Sequence, residues 1–270
     1  MRLAAVIILF HPDVELLLTN IARFIDDIDI LIIYRNSKES VVYPEEYIPK
    51  IKEMGIGDNR YVAKALNECL DYCVEEDYEY LLTMDQDSCW NGFKLFKKEV
   101  EILKEHDTVI YAPNVNGIYP TLNGKIEVES VITSGSLCKV VLMKRLGGFR
   151  EDYKIYWVDS EFCHWAHLNG YKIKVFTHYN LDQNFGNGKK TIGGFICANY
   201  SPAVYYFMFR NMIWMRREYG SVPSLKCICY TSLFYIRGIL LGEKRKREKL
   251  LMILKGLFNG FFDKFNRRIK

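Results

Sequence analysis

Apolar residues follow two rhythms along the first half of the chain. Leu3 to Phe10 (LAAVIILF) is one continuous apolar run, ended by His11-Pro12, and residues 28–37 (IDILIIYRNS) hold a second. Runs this short and this rich in branched side chains predict buried strands. Between them Val14, Leu17, Leu18, Ile21 and Phe24 recur at helical spacing, behind Pro12 and Asp13 as a helix start. Strand, helix, strand predicts a right-handed parallel unit. The alternation continues with a helix over 59–76, a strand over 78–84 and another over 108–115. The expected fold class is α/β, an open, twisted, mainly parallel sheet with helices on both faces and ligands beyond the carboxyl ends of its strands. Farther on come a small-residue segment, a helix, a Gly-Gly turn, an acidic aromatic stretch, a second helix and a short strand. From about residue 203 the pattern is helical, which divides the chain into a body, 1–202, and a tail, 203–270.

Composition adds little until charge is placed along the chain. The eight cysteines match no zinc spacing and read as reduced thiols of a cytosolic protein. The N-terminal run lacks a signal-peptide cleavage site and is expected to be a strand. No segment reaches the roughly 20 apolar residues of a spanning helix, and the nearest, 227–242, carries Arg237. Residues 243–270 hold ten Lys or Arg against three Asp or Glu, a net of +7, which leaves the first 242 residues at −3. The positive charge therefore belongs to the tail, and a slightly acidic body with a basic tail that lacks a recognised module argues against nucleic-acid binding.

Candidate chemistry begins where the strand over 78–84 runs into Asp85-Gln86-Asp87. In an extended backbone the two aspartates share a face, and they repel unless a cation or donors stand between them. The plain alternative is a helix N-cap at Asp87-Ser88. A second acidic pair, Asp159 and Glu161, opens the helix after WVDSEFC, where first-turn carboxylates also suit the helix dipole.

Together these pieces resemble the family 2 inverting glycosyltransferases, within them the bacterial rhamnosyltransferase-like group. The resemblance spans about residues 4–217 and rests on VIILFHPDVELLLTNI, NRYVAKALN, LLTMDQDS, ITSGSL, GGFREDYKIYWVDSEFC with NGYKI, and SPAVYYFMFRN, in that order. It implies a GT-A type, Rossmann-like nucleotide-diphospho-sugar transferase fold with added C-terminal helices. The implied reaction moves a sugar, rhamnose in that group, from a nucleotide-diphosphate sugar to a saccharide or lipid-linked saccharide acceptor, in surface polysaccharide or lipopolysaccharide synthesis. By the same match Asp87 binds a divalent cation (Mg or Mn), with His178 completing its shell, and Asp85 faces the donor ribose and the metal shell. Phe10, His11 and Arg60 line the nucleotide, Gly135 and Ser136 lie beneath the donor sugar, and Arg210 stands by the pyrophosphate. Asp159 is the implied catalytic base, with Glu161 and Trp157 on the acceptor side. Asn67 braces its helix, and Phe149 and Arg150 lie near the acceptor.

Three departures bear on donor choice. Arg35 stands where the family has a base-reading aspartate, Phe10-His11 replaces Tyr-Asn, and Trp165 replaces an arginine. These leave open a degenerate transferase fold acting as a membrane-associated binding protein. A nucleotidyltransferase is disfavoured because LFHPDVELL has no glycine to cradle a triphosphate. In the tail, Leu250, Ile253, Leu254, Leu257, Phe258, Phe261, Phe262 and Phe265 recur at helical spacing among basic residues. That pattern predicts a basic amphipathic helix on an anionic membrane surface, peripheral at the inner face of the plasma membrane, or else packing on the body or on a second subunit as a homodimer.

Overall fold

Strand β1 (Leu3–Leu9) is buried along almost its whole length, as a central strand covered on both faces must be. The computed structural model describes every residue except 104, 122–123, 184–188, 191–195 and 269–270. After β1 come α1 (Val14–Ile21), β2 (Ile30–Arg35), β3 (Ile51–Met54), α2 (Tyr61–Glu75), β4 (Tyr80–Met84), β5 (Ser88–Asn91) and α3 (Phe93–Ile102). Then follow β6 (Thr108–Val115), β7 (Lys125–Glu127), β8 (Ser136–Lys139), α4 (Val140–Arg145), α5 (Val158–Leu168) and β9 (Lys172–Gln183). The chain closes with β10 (Lys189–Lys190), β11 (Ile196–Cys197), α6 (Pro202–Tyr219), α7 (Leu225–Gly242) and α8 (Lys246–Phe262). It forms two compact units, residues 1–151 with 159–183, and residues 152–158 with 184–270. This division falls about 20 residues before the expected one and assigns the 152–158 segment to the second unit.

In the first unit, nine strands among the described residues make one sheet in the order β3-β2-β1-β4-β8-β6-β9-β5, with β7 also on β9. Strands β1, β2, β3 and β4 are mutually parallel, and the expected unit of β1, α1 and β2 is present. Asp13 caps α1 by accepting from the Leu16 amide at 3.2 Å. The short strand β8 runs antiparallel between β4 and β6. Its amino end, with Ser136 opposite Thr83, therefore lies beside the carboxyl end of β4. One face of the sheet is sealed by an aromatic cluster in which Phe96 meets Trp90 at 4.8 Å and Phe176 at 5.2 Å between ring centres.

The second unit is built on α6. Helix α8 approaches it at Gly256 and Gly260, where a Cβ would stand 2.5 Å from the Tyr206 carbonyl and 2.8 Å from Ile213 Cβ. Only glycine allows helices this close. The tail pattern thus divides: Ile253 is buried, with Leu250 and Leu257 packed on the same cluster, while Leu254, Phe258, Phe261 and Phe262 remain exposed. Arg210 and Asn211 are turned into the unit. The Asn211 amide nitrogen donates to the carbonyls of Tyr153, Ile155 and Tyr156 at 2.8, 3.0 and 2.9 Å. Arg210 is 7 % exposed. It donates to the Asp152 carbonyl and lies 3.9 Å over the Trp214 ring.

Candidate active site

Asp85, Gln86 and Asp87 lie in the turn between β4 and β5, not in extended strand. The Ser88 amide closes that turn on the Asp85 carbonyl at 3.3 Å, so turn geometry and not strand alternation places the two aspartates together. The helix-cap alternative is excluded, because Ser88 opens β5 and Gly92 precedes α3. Gln86 staples the turn to the end of β1: it accepts from the Phe10 amide at 3.0 Å and donates to the Phe10 carbonyl at 3.1 Å.

Asp85 is held by a closed hydrogen-bond circuit. Its amide donates to Ser134 Oγ at 3.0 Å, and Ser134 Oγ meets Ser88 Oγ at 2.6 Å. Ser88 donates to Gln183 Oε1, and Gln183 Nε2 returns to Asp85 Oδ2 at 3.0 Å. Water reaches the Asp85 side chain, but protein crowds its other sides. That desolvation, then the Asp87 charge and more weakly the Asp159 charge, lifts its pKa to about 6 against the Gln183 hydrogen bond. Desolvation raises Asp87 as well.

Asp159 sits in the first turn of α5 and is joined to this corner through residue 133. The Thr133 carbonyl accepts from Thr83 Oγ1 on β4. The Thr133 backbone also helps to hold the Asp159 carboxylate, as does the Ser160 amide at 2.8 Å. Burial nevertheless raises the Asp159 pKa. Gly135 makes the approach possible: its φ is +76°, and a Cβ there would stand 2.8 Å from Leu181 Cδ2 and 3.0 Å from Pro113 Cγ. Gly135→Ala is therefore expected to lower unfolding free energy by about 1–2 kcal/mol for the left-handed backbone, measured by urea denaturation. Ser136 is buried and its hydroxyl bonds the Ile132 carbonyl at 3.0 Å, so it shapes the loop instead of facing a sugar.

Phe10, His11 and Arg60 come together at the carboxyl ends of β1 and β2. The His11 amide donates to Ser37 Oγ at 3.0 Å, and its ring meets Glu39 at 2.6 Å. The Arg60 amide donates to Asn36 Oδ1 at 2.6 Å, while its side chain is exposed. Arg35 ends β2 and reaches Glu53 at 3.8 Å.

Four expectations are corrected. His178 meets Glu99 through Nε2 at 3.0 Å and the Gly124 carbonyl through Nδ1 at 3.2 Å. Both ring nitrogens thus have partners other than Asp87. Glu161 is fully buried, 3.8 Å from Arg150, which is 6 % exposed; neither is open to an acceptor. Trp157 packs on the apolar cluster of the second unit, with its indole nitrogen buried. Arg210 is held within that unit by the Asp152 carbonyl and Trp214, so its guanidinium is a brace for the 152–156 loop. Trp165, the other departure, donates to the Leu146 carbonyl at 3.1 Å. Asn67 accepts from the Phe149 amide and donates to the Phe149 carbonyl, both at 2.8 Å, bracing the Gly-Gly turn.

No family model matches the chain. A curated relative, the dTDP-rhamnosyl transferase RfbF of Shigella flexneri, is 25 % identical over 223 residues, 74 % of this chain and 75 % of that protein. In sequence the chain is thus similar to a rhamnosyltransferase. Solved structures agree on the fold. TarS 1–349 of S. aureus aligns over 96 % of this chain and 81 % of its own, with a TM-score of 0.54 at 14 % identity. GalNAc-T7, solved with UDP, GalNAc and Mn2+, gives 0.62 at 10 % identity over 96 % of this chain, which spans 56 % of that structure. The mannosyltransferase PcManGT of Pyrobaculum calidifontis gives 0.53 at 12 % identity, covering 98 % and 76 %. The fold of the chain is GT-A, a mostly parallel sheet with helices and additional helices at its C-terminal end.

Proposed function

We propose that the protein transfers a sugar, rhamnosyl by its relative, from a nucleotide-diphosphate donor to a saccharide or lipid-linked saccharide acceptor with inversion, in the cytoplasm, during surface polysaccharide synthesis. The observation that carries this reading is the Asp85-Gln86-Asp87 turn at the carboxyl end of β4, with Asp159 near enough for its charge to act weakly on Asp85. Two aspartates in one turn with a third acidic side chain nearby suit a divalent cation and a proton acceptor. Oxygen donors of this kind match Mg2+ or Mn2+. Among the described residues no three His, Cys, Asp or Glu side chains are grouped to hold a metal by themselves, so Asp87 and Asp85 would share it with donor diphosphate oxygens and water. When bound, the cation offsets charge on the departing diphosphate.

Asp159 supplies the base. Its carboxylate takes the proton of the acceptor hydroxyl as that oxygen bonds to the anomeric carbon from the face opposite the diphosphate. The bond between the anomeric carbon and the diphosphate oxygen breaks, and the nucleotide diphosphate leaves with the electron pair. Phe10, His11 and Arg60 frame the nucleotide. Arg35 cannot accept a hydrogen bond from a pyrimidine imide, so a backbone carbonyl reads the base.

The direct test is thermal unfolding with UDP-, dTDP- and GDP-sugars, each with and without Mn2+, for wild type and Asp87→Ala. Ligand binding to the folded state raises Tm by mass action. A shift with a dTDP-sugar that requires Mn2+ and disappears in Asp87→Ala is expected; no shift with any donor refutes the proposal.

The raised pKa values set a pH dependence. Asp85 has a folded value near 6 against about 3.9 unfolded, so its stabilising contribution is complete below pH 4 and is lost as pH rises through 6. Asp85→Asn is therefore expected to gain Tm relative to wild type between pH 4 and 6. Manganese protection of the wild type should weaken as pH falls through 6, because metal and protons compete for the same carboxylates. A Tm difference that is flat across this range would show that Asp85 titrates normally.

A further inference from the structure

We propose that α7 is an interfacial helix that lays its outward face in the headgroup layer of an anionic lipid bilayer. One stripe of α7, Ile228, Tyr235, Ile236 and Ile239, packs on the cluster formed with α6 and α8. The opposite stripe is Tyr230, Leu233, Phe234, Leu240 and Leu241, all between 48 and 71 % exposed. Five large apolar side chains on one face exceed the scattered exposure that needs no explanation.

Charge selects the occupant. Residues 225–242 contain no acidic side chain, and Lys226 and Arg237 lie on the exposed side. Arg237 is nine residues after Ile228, half a turn out of phase with the packed stripe, in the middle of the apolar face. The turn that follows, Lys244 to Arg247, is four exposed basic residues. Its neighbour Glu243 is neutralised inside the unit by Lys249 at 2.7 Å. An apolar face with basic residues along it and at its end matches anionic headgroups above acyl chains. A cavity of about 250 Å³ beside this face is lined by Tyr230, Leu233, Phe234 and Leu241, with Arg237 and the Lys249-paired Glu243 also at its wall, which suits an acyl chain.

The helix lies in the interface and does not span. Its 18 residues are long and apolar enough to cross a bilayer. However, Arg237 would then lie within the hydrocarbon, which is costly. The packed stripe would also have to leave α6 and α8. The surface assigned to lipid is thus wider than the tail helix expected from sequence and is centred on a different element.

The test is co-sedimentation of the full chain with vesicles of phosphatidylcholine alone and with 30 % phosphatidylglycerol, against Leu233→Asp/Phe234→Asp and Lys244→Glu/Arg247→Glu. Wild type is expected to sediment with anionic vesicles only and to be released by salt. The apolar double variant should lose at least tenfold in partition coefficient. The basic one should lose at least about fivefold per residue, with Tm unchanged in both. Equal sedimentation of variants and wild type, or no binding to anionic vesicles, overturns the proposal. So does retention after alkaline carbonate washing, which marks a span. A dimer in sedimentation velocity that the apolar variant dissolves would assign the face to a second copy instead.

Discussion

Asp159→Asn is expected to reduce the transfer rate by about 10²–10⁴-fold while leaving the Mn2+-dependent donor shift in Tm intact. Asparagine keeps the size of aspartate and an oxygen to accept from the Ser160 amide, which bonds Asp159 at 2.8 Å, so the first turn of α5 should hold its shape. What it lacks is a carboxylate to receive the acceptor proton. Glu161 cannot substitute, since it is fully buried beside Arg150. The pH profile provides the second readout. With Asp159 raised by burial, the acid limb of the wild-type rate should fall above the ordinary aspartate range and be absent from whatever rate the variant retains. Transfer within tenfold of wild type would place the base elsewhere.

Asn211→Ala is the largest expected loss of stability, roughly 3 kcal/mol. The amide nitrogen of Asn211 satisfies the Tyr153, Ile155 and Tyr156 carbonyls, and its oxygen accepts from Arg210 at 2.8 and 3.0 Å. Alanine leaves these groups without that partner, and buried polar groups left unsatisfied cost about 1–3 kcal/mol each. The segment it holds includes Lys154, Tyr156 and Trp157 at φ of +63°, +68° and +65°, conformations that side-chain-bearing residues adopt only under restraint. Guanidinium denaturation should show a lower midpoint. An unchanged midpoint would mean that the segment is held by other contacts.

The parallel part of the sheet was legible in the sequence because its strands are long, apolar and separated by amphipathic helices. β1, α1, β2, α2, β4 and β6 all fall within a few residues of their expected spans. The strands that were missed, β3, β5, β7 and β8, have four residues or fewer, too short for a period to register. Of the candidate site, Asp85, Asp87, Asp159 and Gly135 were singled out from motif spacing; the structure puts Asp85 and Asp87 in one turn and Asp159 within reach of Asp85 by charge. The circuit through Ser88, Ser134 and Gln183 was not, because a serine or glutamine carries no signal until its partner is known. The misplaced residues share one cause. His178, Glu161, Trp157 and Arg210 were placed by motif alone, and motif spacing does not tell a side chain facing the corner from one paired away from it.

The circuit around Asp85 also bears on how the protein reaches its working form. Gln183 and Asp85 are 98 positions apart, and Ser134 lies between them in sequence. Closing loops of that length is slow and entropically demanding. The Asp85-Gln86-Asp87 turn can form early, against β1, but Asp85 gains its full set of partners only when β8 and β9 have both docked. The circuit is therefore complete only once the end of β9 is in place. A nascent chain that has emerged only as far as β8 carries the acidic turn without the end of β9 to orient it.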